Sequence, residues 1–288
     1  MSTIANIFKN KSKKPVISFE IFPPKRDELL KNIDATLAVL ADMHPDFISV
    51  TFGAGGSVTN SATVEIASKI KKLGIESVAH LTCLNYSKAE ILTMIRNLEA
   101  NGIENILALR GDRNPNVPPK NDFAHACDLI KFVRENSSLS ISAACYPEGH
   151  PEAESRVSDI RHLKEKVDAG ATHLISQLFF DNDIFYRFQE NVKIAGIDLP
   201  VDAGIMPVVN KAQIERMITL CGASLPVKFQ KILARYENDK VALFDAGMAY
   251  AVNQIIDLIA SGVDGIHIYT MNNPRIADKL TSAIKNLF

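Results

Sequence analysis

VISFEIFPPK, residues 16–25, is an apolar, β-branched run broken by one carboxylate and closed by two prolines. It reads as a strand, Val16–Ile21, that runs into its loop without a glycine. An open doubly wound sheet usually carries a Gly-rich phosphate loop at that point. No G-x-G-x-x-G or Walker sequence occurs elsewhere in the chain either. The absence turns the reading toward a closed barrel.

Outward from this strand, short apolar runs alternate with longer amphipathic stretches to the end of the chain. The further strand candidates are Phe47–Thr51, Ser77–Leu81, Ile106–Leu109, Ser140–Ala144, His173–Gln177, Val201–Ile205 and Gly265–Tyr269. Eight strands, each followed by a helical pattern, predict a (β/α)8 TIM barrel of the α/β class. Runs such as ISVTF, ILALR and IHIYT are apolar at successive positions, as expected of strands covered on both faces. Helices end at Gly74, Gly102, Gly170 and Gly262, each two or three residues before the next strand. Glycine suits the left-handed position past a helix end. This punctuation recurs throughout, so residues 1–288 are read as one domain, with 1–14 a flexible or peripheral N-terminal segment. One elaboration is expected between Ala223 and Asp239, where Pro226 opens the amphipathic segment VKFQKILARY before a long helix, Lys240–Ala260.

Lys and Arg number 32 against 33 Asp and Glu, so no charge excess points to nucleic acid. Four scattered cysteines lack any C-x-x-C pair, which argues against a disulfide framework or a structural zinc, and no metal is expected. The basic N-terminus has no apolar stretch of the kind a secretory signal needs, and no run is long enough to span a membrane. The default expectation is a cytoplasmic protein without a membrane partner.

A barrel puts its active site at the C-terminal strand ends. Those ends deliver Glu20, Thr51, His80, Arg110-Gly111-Asp112, Tyr146 with Glu148 and His150, Gln177, Pro207 and Tyr269. Their convergence on one rim carries more weight than any single residue. Glu20 sits inside an apolar strand, where burial strips a carboxylate of solvation and suits it to general-acid work. A structural ion pair, with Arg110 for instance, explains it about equally well. Gly111 would let the backbone approach a flat ligand, or simply make a turn. His80 ends an apolar strand and fits an ordinary core histidine; His44, His173 and His267 are assigned the same structural place. On the helix within AESRVSDIRHLKEKVDAG, Asp159 and Lys166 share one side two turns apart. They could grip a long cofactor, or be solvated surface charges.

The strings ISFEIFPPK, SVTFGAGG, AHLTC, ALRGD, CYPEGHPEA, LKEKVDAGA, ISQLFFD, GIMPV and IHIYTMN occur in this order from Val16 onward. Together they resemble the bacterial methylenetetrahydrofolate reductases, over nearly the whole chain and without the regulatory domain of eukaryotic members. The resemblance implies an FAD-containing homo-oligomeric barrel. It would reduce 5,10-methylenetetrahydrofolate to 5-methyltetrahydrofolate with NADH or NADPH, serving one-carbon metabolism and methionine biosynthesis. It implies that Glu20 is the catalytic acid that protonates folate N10, and that Asp112 acts electrostatically near flavin and folate. Cofactor contacts would come from Thr51, Phe52, Ala54, His80, Arg110, Gly111, Asp112, Ala126, Tyr146, His150, Ala153, Asp159 and Lys166. His162 and Glu165 stand where relatives carry an amide and a basic residue near the flavin. Asp112, Gln177, Gln213 and Tyr269 would meet the folate substrate, with Thr51 and Gln177 also reaching the nicotinamide nucleotide. Thr270-Met271-Asn272-Asn273 departs from the family's Thr-Leu-Asn-Arg, leaving position 273 without the arginine expected near the folate tail. Met217 replaces a frequent aromatic. The rival readings are a flavin-free pterin-dependent barrel enzyme, such as a methyltransferase, and a binding barrel without catalysis. A Schiff-base aldolase is disfavoured, because none of the eight strand candidates contains lysine.

Overall fold

The computed structural model describes residues 3–11, 14–24, 27–52, 61–113 and 118–287. Eight parallel strands close on themselves in sequence order, β1 pairing with both β2 and β8. They are β1 (Val16–Ile21), β2 (Phe47–Val50), β3 (Glu76–Thr82), β4 (Asn105–Leu109), β5 (Ser140–Cys145), β6 (His173–Ser176), β7 (Val201–Ile205) and β8 (Gly265–Tyr269). The sequence reading of a single (β/α)8 barrel holds, and no strand bound moves by more than a residue. Gly74, Gly102, Gly170 and Gly262 all take positive φ, as their place past helix ends requires. Among the described residues no helix is long and apolar enough to cross a membrane.

Alternation along each strand divides the barrel into two chemically different faces. Outward-facing Ile17, Phe19 and Ile21 join Ile48, Val50, Ala203, Ile205, Ile266 and Ile268 in the main core, under the surrounding helices. The helices that cover this face include α4 (Lys88–Ala100), α5 (Ala126–Asn136), α6 (Arg156–Asp168) and α7 (Asn182–Ile194). Inward-facing positions are polar to a degree that apolar strand runs do not announce. Ser18, Ser49, His80, Asn105, Ser142, His173, Asp202 and His267 are all buried. The strands are covered on both faces as expected, by apolar residues on the helix side and by a mixture of apolar and polar residues inside.

The floor of the barrel is apolar. Val16, Phe47, Val78, Leu107 and Ile175 cluster there with Ile4. Ile4 comes from a short helix, α1 (Ile4–Asn10), whose first amide donates to the buried Asn105 side chain at 2.9 Å. Phe8 lies 4.8 Å from His173, ring centre to ring centre. The sequence predicts a flexible or peripheral segment here; instead it plugs the N-terminal end of the barrel. Ile4, Ile7 and Phe8 stand at i, i+3 and i+4, so one apolar stripe of the short helix packs on the floor.

At the opposite end, α8 (Lys211–Cys221), α9 (Val227–Tyr236) and α10 (Lys240–Ala260) form a second apolar cluster. Helix α9 is the elaboration anticipated after Pro226. Its Phe229 stacks 5.4 Å from Phe180 and lies 4.4 Å from Tyr250, which ties the insertion to the loop after β6 and to α10. Full burial of such a ring contributes roughly 1.5–3 kcal/mol.

Candidate active site

Glu20 faces the barrel interior at the C-terminal end of β1, opposite Tyr269 and Ser49 in the strand register. Its Oε2 lies 3.5 Å from Nε2 of His80 and 3.5 Å from Nε2 of His267. The carboxyl group is about four-fifths buried. Burial pushes His80 down to about 4, so its ring is neutral at physiological pH. Among the described residues its Nε2 has no hydrogen-bond partner, and the Glu20 carboxylate lies 3.5 Å from it. Arg110 is not the partner of Glu20. It makes a bidentate pair with Glu152 at 2.6 and 2.9 Å, further around the rim.

The Arg110 pair stands at the edge of a cleft of about 220 Å³ that opens over the ends of β4 and β5. Arg110, Ala126, Tyr146, His150, Ala153, Asp159, His162, Glu165 and Lys166 line it, so these sequence-predicted positions come together in one place. Ala108, Ala126, Ala144 and Ala153 leave the walls narrow and smooth. Asp159 is buried, and burial raises its pKa while Lys166 opposes that shift. Burial lowers Lys166, and Asp159 holds it up in return. The ammonium donates to Ala144 O at 2.9 Å and sits 5.7 Å from the centre of the Tyr146 ring. Tyr146 packs edge-on against His150 at 4.7 Å, and burial raises its hydroxyl pKa. His162 and Glu165 are exposed at the outer margin.

Gly111 takes φ +87°, and a Cβ there would meet Thr82 at 3.0 Å, so the Arg-Gly-Asp turn needs glycine for conformation and for space. Asp112 is exposed on the rim. Burial pushes the thiol of partly buried Cys221, the last residue of α8, up to about 11, and the charges of Asp112 and Glu20 add to the rise. Gln177 folds back to accept from Leu178 N at 2.9 Å. Gln213 occupies the first turn of α8, with its amide on the Asn210 cap at 3.1 Å. Tyr269 crosses the interior to donate to Ser176 O at 3.0 Å, and burial raises its pKa well above the usual tyrosine range. Thr51 accepts at its carbonyl from Thr63, and Phe52 meets Tyr86 edge-on at 5.7 Å. Ala54 lies outside the described residues. Asn273 caps the last helix, α11 (Pro274–Ile284), while the Arg275 guanidinium stacks 4.8 Å from the Phe244 ring.

Against known families, residues 4–285 match the one described as methylenetetrahydrofolate reductase. The chain belongs to that family. It is 35% identical over 262 residues to the 5,10-methylenetetrahydrofolate reductase of Escherichia coli K12, covering 91% of this chain and 88% of that one. To the Salmonella typhimurium LT2 enzyme of the same name it is 34% identical over 261 residues, with 91% and 88% covered. The Arabidopsis thaliana methylenetetrahydrofolate reductase (NADH) 1 is 35% identical over 271 residues, 88% of this chain but only 46% of that one. The chain thus spans about half the length of the plant relatives and most of the bacterial ones. Among solved structures, a Clostridium thermocellum protein that binds two copies of 5-methyl-5,6,7,8-tetrahydrofolic acid superposes with TM-score 0.68 at 16% identity, covering 97% and 99% of the two chains. At that identity the likeness shows the barrel fold alone.

Within this reductase-family barrel, the residue that sequence reasoning passes over is His267. The sequence assigns it a structural place, yet it touches Glu20. The available signal is strand alternation: His267 and Tyr269 are two apart on β8, so they share the inward face with the register partners Ser18 and Glu20 of β1.

Proposed function

We propose that this protein is a flavin-dependent methylenetetrahydrofolate reductase, with FAD in the cleft over β4 and β5 and Glu20 as the acid of the folate half-reaction. The observation that carries the proposal is the placement of a part-buried carboxylate at the barrel mouth beside a cleft lined by alanines and by Asp159 and Lys166. That donor set suits a long phosphate-bearing cofactor. Lys166 and Arg110 offer cations to its phosphates, Asp159 offers an acceptor for hydroxyl groups, and the alanines admit a flat ring. When bound, the flavin supplies hydride transfer between a nicotinamide nucleotide, NADH or NADPH, and the folate.

The chain's own residues then have separate tasks. Glu20 gives its proton to N10 of 5,10-methylenetetrahydrofolate, which opens the five-membered ring and leaves an electrophilic N5 iminium. Asp112, in the same mouth, favours that cation through its negative charge. Gln177, Gln213 and Tyr269 orient the folate, and Thr51 with Gln177 meets the nucleotide that occupies the mouth in turn. Phe52, Ala54, His80, Gly111, Ala126, Tyr146, His150, Ala153, His162 and Glu165 complete the cofactor's surroundings. Electrons pass in two separate steps, so the kinetics are ping-pong.

The test is optical. Purified protein given FAD and freed of excess should be yellow. Anaerobic NADH or NADPH should bleach it, and methylenetetrahydrofolate should restore the colour. Protein left colourless by FAD would contradict the flavin reading and favour a flavin-free pterin enzyme. Bleaching without reoxidation by the folate would contradict the substrate.

A further inference from the structure

Beneath Glu20 a chain of buried polar groups runs down the inside of the barrel. His267 Nε2 lies 3.5 Å from Glu20, and its other nitrogen, Nδ1, lies 2.7 Å from Ser18 Oγ. Ser18 Oγ in turn lies 3.4 Å from Asp202 Oδ2 and 3.4 Å from Ile266 O. Asp202 Oδ2 is 3.3 Å from His173 Nε2, and His173 Nδ1 is 2.9 Å from Ser142 Oγ. Every member below Glu20 is at most 1% exposed. Space for the buried carboxylate comes from Gly265, where any Cβ would sit 1.7 Å from Asp202 Oδ1.

The donors in this chain can be assigned. Ser18 has one proton, and both Asp202 and the Ile266 carbonyl are acceptors, so Ser18 spends its proton downward. Its lone pair is then left for His267, which must donate from Nδ1. That tautomer turns the unprotonated Nε2 of His267 toward Glu20 Oε2 at 3.5 Å and Ser49 Oγ at 3.4 Å. The Ser49 contact is too long for a strong hydrogen bond, so one proton is held between Nε2 and the carboxylate.

We propose that Asp202 is a positioning residue that acts through Ser18 and His267 to keep this proton on the Glu20–His267 pair until the folate takes it. The proposal rests on the reductase reading for the identity of the acceptor, but not for the proton's location. In the step itself the Glu20 O–H bond breaks and an N10–H bond forms. The bond from N10 to the bridging methylene breaks, with its electron pair going to N10. Glu20 is left a carboxylate beside neutral His267, and a proton from water recharges the pair when the mouth reopens. The other titratable groups facing the pair are His80 from β3, Tyr269 from β8 and Cys221 from α8. Facing Asp202 are His173 from β6 and, at longer range, Asp264 and Cys145.

The tautomer can be read without any turnover, by nitrogen-15 NMR of histidine-labelled full-length protein, with His267 assigned from the signal lost in His267→Gln. Wild type should show His267 protonated at Nδ1. Asp202→Asn and Ser18→Ala should each lower the apparent pKa of the pair by about one pH unit, because the anion or its link is gone. Ser18→Ala leaves Asp202 in place and so carries the test if Asp202→Asn does not fold. In the folate half-reaction the falling alkaline limb should shift to lower pH by the same amount, with flavin bleaching unmoved. His267 protonated at Nε2 in wild type, or a pair titration unmoved in the folded variants, would overturn the proposal. Absence of any folate reaction in wild type would instead strike the reductase reading, and the tautomer seen by NMR would still decide the proton's location.

Discussion

Nε2 of His267 and Oε2 of Glu20, on neighbouring strands β8 and β1, lie 3.5 Å apart inside the barrel. A second imidazole, that of His80, approaches the same oxygen at the same distance. Among the described residues the carboxylate is framed by two rings rather than by a permanent cation, an arrangement suited to passing a proton rather than anchoring a charge.

His80 makes the fold sensitive to mild acid. Its folded pKa, pushed down by burial to about 4, lies below the unfolded value of 6.5. The unfolded chain therefore binds a proton first as pH falls from 6.5 toward 4, and stability drops across that window. Urea titrations should show about 2 kcal/mol lost from this group between pH 7 and pH 5. His80→Gln should flatten that part of the dependence. An unchanged slope would show that His80 does not carry it.

Phe229 is the fastening of the α9 insertion, being 1% exposed between Phe180 and Tyr250. Phe229→Ala should cost about 3–5 kcal/mol in denaturant melts. Hydrogen exchange should rise first in Val227–Tyr236, with the β1–β5 side of the barrel still protected.

Ile4 closes the floor, fully buried against Val16 and Phe47. Ile4→Ala should lower stability by about 2–5 kcal/mol. A loss below a few tenths would mean that α1 merely rests on the barrel.

Lys166→Met should weaken both the fold and the cofactor site. It leaves buried Asp159 without the cation that opposes its desolvation and Ala144 O without a donor, so the melting temperature should fall. FAD affinity, followed by fluorescence quenching, should fall about 10–100-fold as a charge-assisted contact of roughly 1.5–3 kcal/mol is lost. Unchanged affinity would place the cofactor's phosphates elsewhere.

Strand bounds are legible in the sequence because they are set by local signals: β-branched runs between glycine-marked helix ends. Val16–Ile21, Val201–Ile205 and Gly265–Tyr269 match residue for residue. Nine of the expected cofactor positions line one cavity; six of them, Arg110, Tyr146, His150, Ala153, Glu165 and Lys166, lie within the family strings. What stays hidden depends on closure of the barrel. His267 and Asp202 look like isolated polar interruptions until β1, β7 and β8 become neighbours, 184 and 249 residues from Ser18 to its partners. The Arg110–Glu152 pair escapes a sequence reading because it joins two loops whose relative position no periodicity reports. The plug of the floor is legible as the i, i+3, i+4 stripe Ile4, Ile7 and Phe8, but which end of the barrel it covers is set only by closure.

The most direct measurement is a stopped-flow comparison of both half-reactions in wild type and Glu20→Gln, under anaerobic conditions with FAD bound. Glutamine keeps the shape of the side chain but has no acidic proton to give. Bleaching by the nicotinamide nucleotide should proceed within a few-fold of wild type, while reoxidation by methylenetetrahydrofolate should fall by at least about 100-fold. Equal loss in both halves, or full folate reactivity in the variant, would contradict the assignment of Glu20 as the acid.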